Sequence, residues 1–447
     1  MKLVKSLLLG TASGLLVVAG ASAADLPSRK AAPVSYVKVC DAYGAGFFYI
    51  PGTETCVKVG GRVRADYAFS AAQSIYGATT TTANVVATAK NAVANYGVEA
   101  RARVDLDART QTAWGTVQTV VSLRLARTSG ILSEVGPALS PNAAVATLEA
   151  AYVRFAGFTF GVAKDNFSFM PSTFYGAGHW GSFANGAKQL AYTAVLGGGF
   201  SATIALQDTN DTILTPVNVS GAGVAPTYSY NNMPQVNANI AFDQAWGSAM
   251  LSGALGKAVG VNPLATYDAD KLIYAVGAGL KVNLPMIAAG DVLWLNAAYA
   301  EGMTEYTTNW TSFKSSDVKR NVGGYVTNMP SYFYGPNGIE TPKSWVVAGL
   351  FSHYWTPTVR HSFLASYGQV NGTTTSKSIN YGSTGAFGNA TVWNVGTQLA
   401  WFPVSNFEIG VEALYARVEQ DVRRTSTLVT KEKAGNFTGR MRVERTF

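Results

Sequence analysis

From Cys56 onward the chain alternates. Val57, Val59, Val63, Ala65, Tyr67 and Phe69 share one parity, and Lys58, Arg62, Arg64 and Asp66 share the other. That is the period of a β-strand, whose successive side chains point to opposite faces. VEARARVDLDA repeats it, with Val98, Ala100, Ala102, Val104 and Leu106 opposing Glu99, Arg101, Arg103, Asp105 and Asp107. VQTVVSLRLA sets Thr119, Val121, Leu123 and Leu125 against Val120, Ser122, Arg124 and Ala126. Roughly sixteen such stretches, of about 8 to 15 residues each, run to the end of the chain. They begin near residues 55, 93, 115, 145, 157, 188, 199, 234, 247, 271, 290, 344, 358, 389, 407 and 437.

The connections alternate too. Short ones carry turn residues, at Ala156-Gly157, Leu196-Gly197-Gly198, Gln244 to Gly247, Thr356-Pro357-Thr358 and Pro403 to Asn406. Segments 71–92, 209–233, 303–343, 371–388 and 421–436 are long, polar and rich in Gly, Ser, Thr and Asn. Trp246, Trp355, Trp401 and Phe402 stand in or beside short turns, where flat rings suit a membrane–water interface. The pattern predicts an all-β fold: a transmembrane, antiparallel, up-and-down β-barrel of sixteen strands, since lipid admits only helices or closed sheets. A soluble β-sandwich also alternates, but sixteen strands with charged second faces exceed what a modest core hides. One segment breaks the rule. In TLEAAYVRFAG, Glu149 and Arg154 have opposite parity, so a straight strand would turn one of them into lipid. A bulge, a place at the rim or a subunit contact would each repair this.

Composition narrows the classes further. Charged residues make up 13% of the 447, against 46 glycines and 12% aromatics, with a net charge of +8. No proline-rich linker or composition break divides the chain. After Ala23 nothing approaches the run of about 18 apolar residues that a spanning helix needs. The basic residues alternate with apolar ones inside strands instead of clustering, which argues against nucleic-acid binding. A barrel enzyme would need a Ser or Cys nucleophile beside a His and an orienting acid. The histidines are His179, His353 and His361. His353 and His361 flank a short turn with no nucleophile beside them and read as interfacial side chains. Gly44-Ala45-Gly46 lacks the lysine of a phosphate loop. The chain is therefore read as a non-enzyme, with no cofactor and no metal.

At the N-terminus, Lys2 and Lys5 precede an apolar run that ends in Ala21, Ser22 and Ala23, the order of an export signal cleaved after Ala23. Residues 24–54 form a periplasmic-side segment, and 55–447 the barrel. The two cysteines, Cys40 and Cys56, enclose a short loop. Export to an oxidising compartment favours a disulfide between them, with two free thiols as the alternative. A metal site has too few ligands there.

The segment VKVCDAYGAGFFYIPGTETCVKVGGRVRADY closely resembles the start of mature general porins of the alpha-proteobacteria. The lead-in AADLPSRKAAPV and the last strand, ending in Phe447 as an assembly signal, agree with that family. The resemblance implies a homotrimeric outer-membrane channel for small hydrophilic solutes, inserted by the barrel-assembly machinery among outer-membrane lipid and lipopolysaccharide. It also implies that the third long loop folds inward. Residues 164–189 offer such a loop, long and dotted with Gly, Phe167, Phe169, Phe174, Tyr175, Trp180 and Phe183.

A channel of this kind works through its wall and its narrowest point. Lys58, Arg62, Arg64, Arg101, Arg103 and Arg124 lie on the charged faces of the first three strands, and Arg440 and Arg442 on that of the last, which closes on the first. Arginine keeps its charge at any relevant pH, so this ladder favours anions weakly. Asp165 is the expected counter-charge in the loop, with Lys164, His179 and Lys188 at its rim. Alternatively, several arginines pair with Glu99, Asp105, Asp107 or Glu444. A channel specific for a sugar or an anion is the rival reading, and an adhesin or phage receptor made from the long loops is compatible with either.

Overall fold

A computed structural model describes residues 38–70, 75–77, 88–90, 96–132, 143–171, 174–176, 186–208, 217–218, 233–260, 269–308, 331–335, 338–378, 388–423 and 429–447. Among these, sixteen strands form the barrel. In chain order they are β1 (Cys56–Ser70), β2 (Tyr96–Thr112), β3 (Gly115–Thr128), β4 (Ala143–Phe155), β5 (Phe158–Lys164), β6 (Gly186–Gly197), β7 (Phe200–Gln207) and β8 (Gln235–Gln244). They continue as β9 (Gly247–Gly260), β10 (Ala269–Asn283), β11 (Val292–Glu301), β12 (Lys343–Thr356), β13 (Val359–Asn371), β14 (Ala390–Val404), β15 (Phe407–Arg423) and β16 (Val429–Thr446). Each pairs antiparallel with its chain neighbours, and β16 returns to β1 with Arg62 opposite Thr446 and Ser70 opposite Thr438. Backbone hydrogen bonds between Gly61 and Phe447 continue that seam to the last residue. Closure removes every free sheet edge, as lipid requires.

The alternation read from the sequence is the alternation of outside and inside. Val59, Val63, Tyr67 and Phe69 of β1 are exposed on the outer surface with Val98 and Val104 of β2, while Asp66 and Glu99 are buried on the lumen side. The departure at Glu149 is a bulge. Ser122 of β3 faces Ala150, and the next residue, Leu123, faces Leu148, so Glu149 is the extra residue between them. The bulge restores parity: Leu148 faces out, while Glu149 and Arg154 both face the lumen.

The last hairpin is longer than its sequence pattern. β15 and β16 pair from Phe407–Arg445 up to Arg423–Val429, so the expected long loop 421–436 shrinks to 424–428. Polar residues on both faces hide this extension from a search for alternating hydrophobicity. Glu419 holds Arg417 at 2.9 Å and Lys433 at 3.6 Å across it.

Before β1, the two-residue strand Phe48–Tyr49 pairs with Cys56 and Val57, and Cys40 is disulfide-bonded to Cys56. Cys40, Cys56 and Phe47 form a small buried cluster. Arg109 of β2 lies over the Tyr43 and Phe47 rings at 5.6 and 4.9 Å. The expected signal, residues 1–23, lies outside the described residues.

Candidate pore constriction

The lumen faces of β16 and β1–β4 carry rows of charge set by strand register. Arg62 lies directly opposite Arg103, which lies opposite Arg124; in the next row Arg64 lies opposite Arg101. Like charges facing each other across strands repel, so these rows stand only with carboxylates beside them. Glu444 lies 3.7 Å from Arg62 and 3.8 Å from Arg64. The bulged Glu149 reaches Arg103 and Arg124, each at 3.4 Å. Arg103 also grips Asp105 at 2.7 Å, and Glu99, fully buried, pairs with Arg101 and Arg64. Arg442 makes a two-pronged contact with Asp66 at 2.7 and 2.6 Å, and Arg440 lies 3.7 Å from the same carboxylate. Arg154 has no carboxylate partner among the described residues.

The third long connection, between β5 and β6, meets this wall from inside. Phe167, Met170, Phe174 and Tyr175 are buried, against residues of β10, β14 and β15. Gly279 leaves the room that Phe169 takes, since a Cβ there would come within 2.2 Å of the ring; Gly410 does the same for the Tyr175 hydroxyl. Glu412 of β15 accepts hydrogen bonds from the backbone N–H of Tyr175 at 2.5 Å and of Gly176 at 2.7 Å. The Tyr175 hydroxyl donates to Glu408, and Arg440 donates to the Tyr175 carbonyl oxygen. Burial first, and then the Glu408 carboxylate, raise the Tyr175 phenol above its ordinary pKa, so it stays a donor. The Arg442 guanidinium lies 4.2 Å over the same ring. The loop is thus latched beside the arginine rows.

Two sequence assignments need correction. Asp165 does not face the arginines. It is buried, and its Oδ2 accepts from the N–H of Phe167 at 3.1 Å and from the N–H and hydroxyl of Ser168, both at 3.0 Å. It caps the turn that starts the loop, as a short acid does where backbone donors lack partners. Burial pushes its carboxyl up to about 6 despite these bonds. Lys188 shares its parity on β6 with the exposed Leu190 and Tyr192, so it faces outward, where it pairs with Asp208. Parity in β6 was readable, but the loop was drawn to residue 189, four residues past its end at 185. His179 lies outside the described residues.

Lys58 faces the lumen but sits by the Phe47 ring, 5.9 Å from its centroid, away from the arginine rows. His353 and His361 are direct partners across their turn, the first 2.6 Å from Asp291 and the second 2.7 Å from Thr397, and Trp355 stands edge-on to His353. Glu408 and Glu412 were missed by sequence reasoning. Their signal was present, two acids of one parity in the apolar first half of β15, Glu412 directly opposite Arg440 of the last strand.

The profile of the Porin subfamily matches residues 25–440. Porin Omp2b of Brucella abortus (strain 2308) is 33% identical over 261 residues, 55% of this chain and 64% of that relative. Omp2b of Brucella canis is 32% identical over the same 261-residue length. The chain thus spans a little under two thirds of the curated relatives it matches. Among solved structures, the outer membrane channel DcaP of Acinetobacter baumannii superposes with a TM-score of 0.60 at 17% identity, covering 89% of this chain and 99% of that one, a likeness of fold. Sixteen closed strands and the matched profile bear out the resemblance of the cysteine-bearing segment: the chain belongs to the Porin subfamily of outer-membrane β-barrels.

Proposed function

We propose that this barrel is a general diffusion channel, passing small hydrophilic solutes and ions without chemistry and with a weak preference for anions. The observation that carries this reading is the set of directly opposed arginines on one lumen wall, Arg62–Arg103–Arg124 and Arg64–Arg101. Their carboxylate partners are shared, so the wall keeps a positive field. Such a field raises the local concentration of anions and weakens as salt screens it. In a salt gradient the reversal potential takes the sign of an anion-preferring channel, more strongly at low salt. Arg103→Glu moves it toward cations. A clear cation preference of the native channel refutes the charge assignment. A size series of neutral solutes gives smooth exclusion; saturating block by one solute supports a specific channel instead.

The same reading takes the assembled unit as a homotrimer in lipid and lipopolysaccharide, placed there by the barrel-assembly machinery. Migration of the unheated protein in detergent gels tests the assembly. Residues 1–23 are the cleaved export signal, so the purified protein begins at Ala24 on N-terminal sequencing.

A further inference from the structure

The two halves of the lumen wall differ. Opposite the arginine rows, the inward faces of β9–β13 carry an apolar band: Ala254, Ile273, Ala300, Val346 and Leu364 all point inward and are buried, with the uncharged Asn296, Ser344, Ser362 and Ser366 buried beside them. An apolar wall around a water-filled bore would be wet, at roughly 25 cal/mol per Å² of exposed surface. Something in this chain covers it, and the third loop is only part of that cover.

The sixth long connection supplies the rest. After β11 the chain turns inward: the N–H of Gly302 bonds the Pro342 carbonyl at 3.0 Å, closing the base, and a single helical turn, Glu305–Thr308, follows. Met303 and Tyr306 are fully buried in one cluster with Ala254, Ile273, Ala300 and Val346. The Tyr306 ring lies 4.1 Å from that of Phe167 in the third connection. Its hydroxyl accepts from Gln235 at 2.7 Å and from Asn237 at 3.1 Å, two amides on the inward face of β8. Returning toward β12, Tyr332 donates to the Val259 carbonyl at 3.1 Å, and Phe333 packs with Met170, Leu364 and Val370. Both ends of the connection are therefore inside the barrel, bonded to its wall and packed against the third loop.

Resting on the channel reading, we propose that residues 302–308, with Tyr332 and Phe333, form a second constriction element. It fills the lumen against β9–β13 and confines the solute path to the arginine wall. Met303 and Tyr306 are then specificity-determining residues, although neither carries charge. Every solute passes close to the arginine rows because the other half of the bore is occupied. A small anion finds the cations within reach along its whole path, and a bulky neutral solute meets a slot where it would otherwise meet an open ring.

Accessibility of single cysteines tests this, since the native pair is bonded. Ala300→Cys places a thiol on the covered wall, and Ala150→Cys places one on the lumen face of β4, beside the arginine rows. A charged methanethiosulfonate reagent, read by mass on folded protein, is expected to modify Ala150→Cys and to leave Ala300→Cys at least about 100-fold slower, a protection typical of buried sites. Adding Met303→Ala and Tyr306→Ala is expected to open Ala300→Cys to the reagent and to raise single-channel conductance by about half or more, as a wider constriction does. Equal labelling at the two positions in the otherwise native chain overturns the proposal. So does a double variant that leaves Ala300→Cys protected, or that exposes it without changing conductance. Labelling does not depend on current, so a native chain that conducts nothing while keeping the labelling contrast sinks the channel reading and not the inserted loop.

Discussion

Removing the Glu412 carboxylate should undock the third loop without unfolding the barrel. Glu412→Ala deletes the acceptor for two backbone donors, the N–H groups of Tyr175 and Gly176, both buried against β15. Hydrogen bonds to a charged group contribute about 1.5–3 kcal/mol each, so losing both costs docking about 3–6 kcal/mol. At a tenfold change per 1.4 kcal/mol, the undocked fraction rises by about two to four orders of magnitude. The strand ladder of β14, β15 and β16 is backbone-bonded and stays intact. The Tyr175–Glu408 and Arg440–Tyr175 contacts remain, and they hold the loop part of the time. The variant should therefore keep its heat-resistant migration in detergent gels while its planar-bilayer traces show larger conductance and frequent transitions between levels. Glu412→Gln keeps one acceptor oxygen and should fall between. A Glu412→Ala channel with native conductance and quiet traces would show that the latch does not hold the constriction, and the reasoning would fail.

Three further outcomes follow from the same structure. The Asp165 carboxyl titrates near 6 in the fold, above its ordinary 3.8; the fold prefers the neutral acid, so its contribution is complete below about pH 4 and is lost as pH rises through about 6, at most about 3 kcal/mol. Flicker between conductance levels should grow across that window, and Asp165→Asn should flatten the dependence. Cys40→Ser removes a crosslink worth about 3 kcal/mol for a loop of this length, so protease should cut within residues 38–54 while the barrel's heat resistance stays unchanged. Deleting Glu149 takes out the bulged residue and leaves Leu148 opposite Leu123 and Ala150 opposite Ser122; the barrel should still assemble, with anion preference raised, whereas deleting Ala151 flips the parity of the strand and should abolish assembly.

The barrel was legible because lipid outside and charge inside impose a strict period of two on the first strands, and the short turns mark every second end. Glu149 shows how far that logic reaches. An acid of the wrong parity predicted a bulge as one of its repairs, and the bulge is there, delivering the carboxylate to Arg103 and Arg124. Asp165 shows where it stops. Residue type alone made it the obvious counter-charge, but a buried turn with unpaired backbone donors is a stronger demand on a short acid than a distant arginine. Only the path of the loop reveals that demand.

The second half of the barrel holds a plainer sign that charge-centred reading passes over. In KSWVVAGLFSHYWT, the β12 segment, Val346, Ala348 and Leu350 face inward while Val347 and Phe351 face out. A strand that is apolar on both faces cannot border lipid on one side and water on the other without cost, so its sequence already requires a cover inside the bore. Aromatic residues in the long connections are the supply for that cover, and Phe167, Phe174, Tyr306, Tyr332 and Phe333 meet it. Where alternation weakens within a closed barrel, the lumen is filled; where it stays strict, the lumen is wet. The boundary between the two regimes, from β14 through β16, is where Glu408, Glu412, Arg440 and Arg442 hold the loop tip. The constriction therefore belongs at the line where apolar wall gives way to charged wall, because only there can one loop bury its rings on one side and bond its backbone on the other.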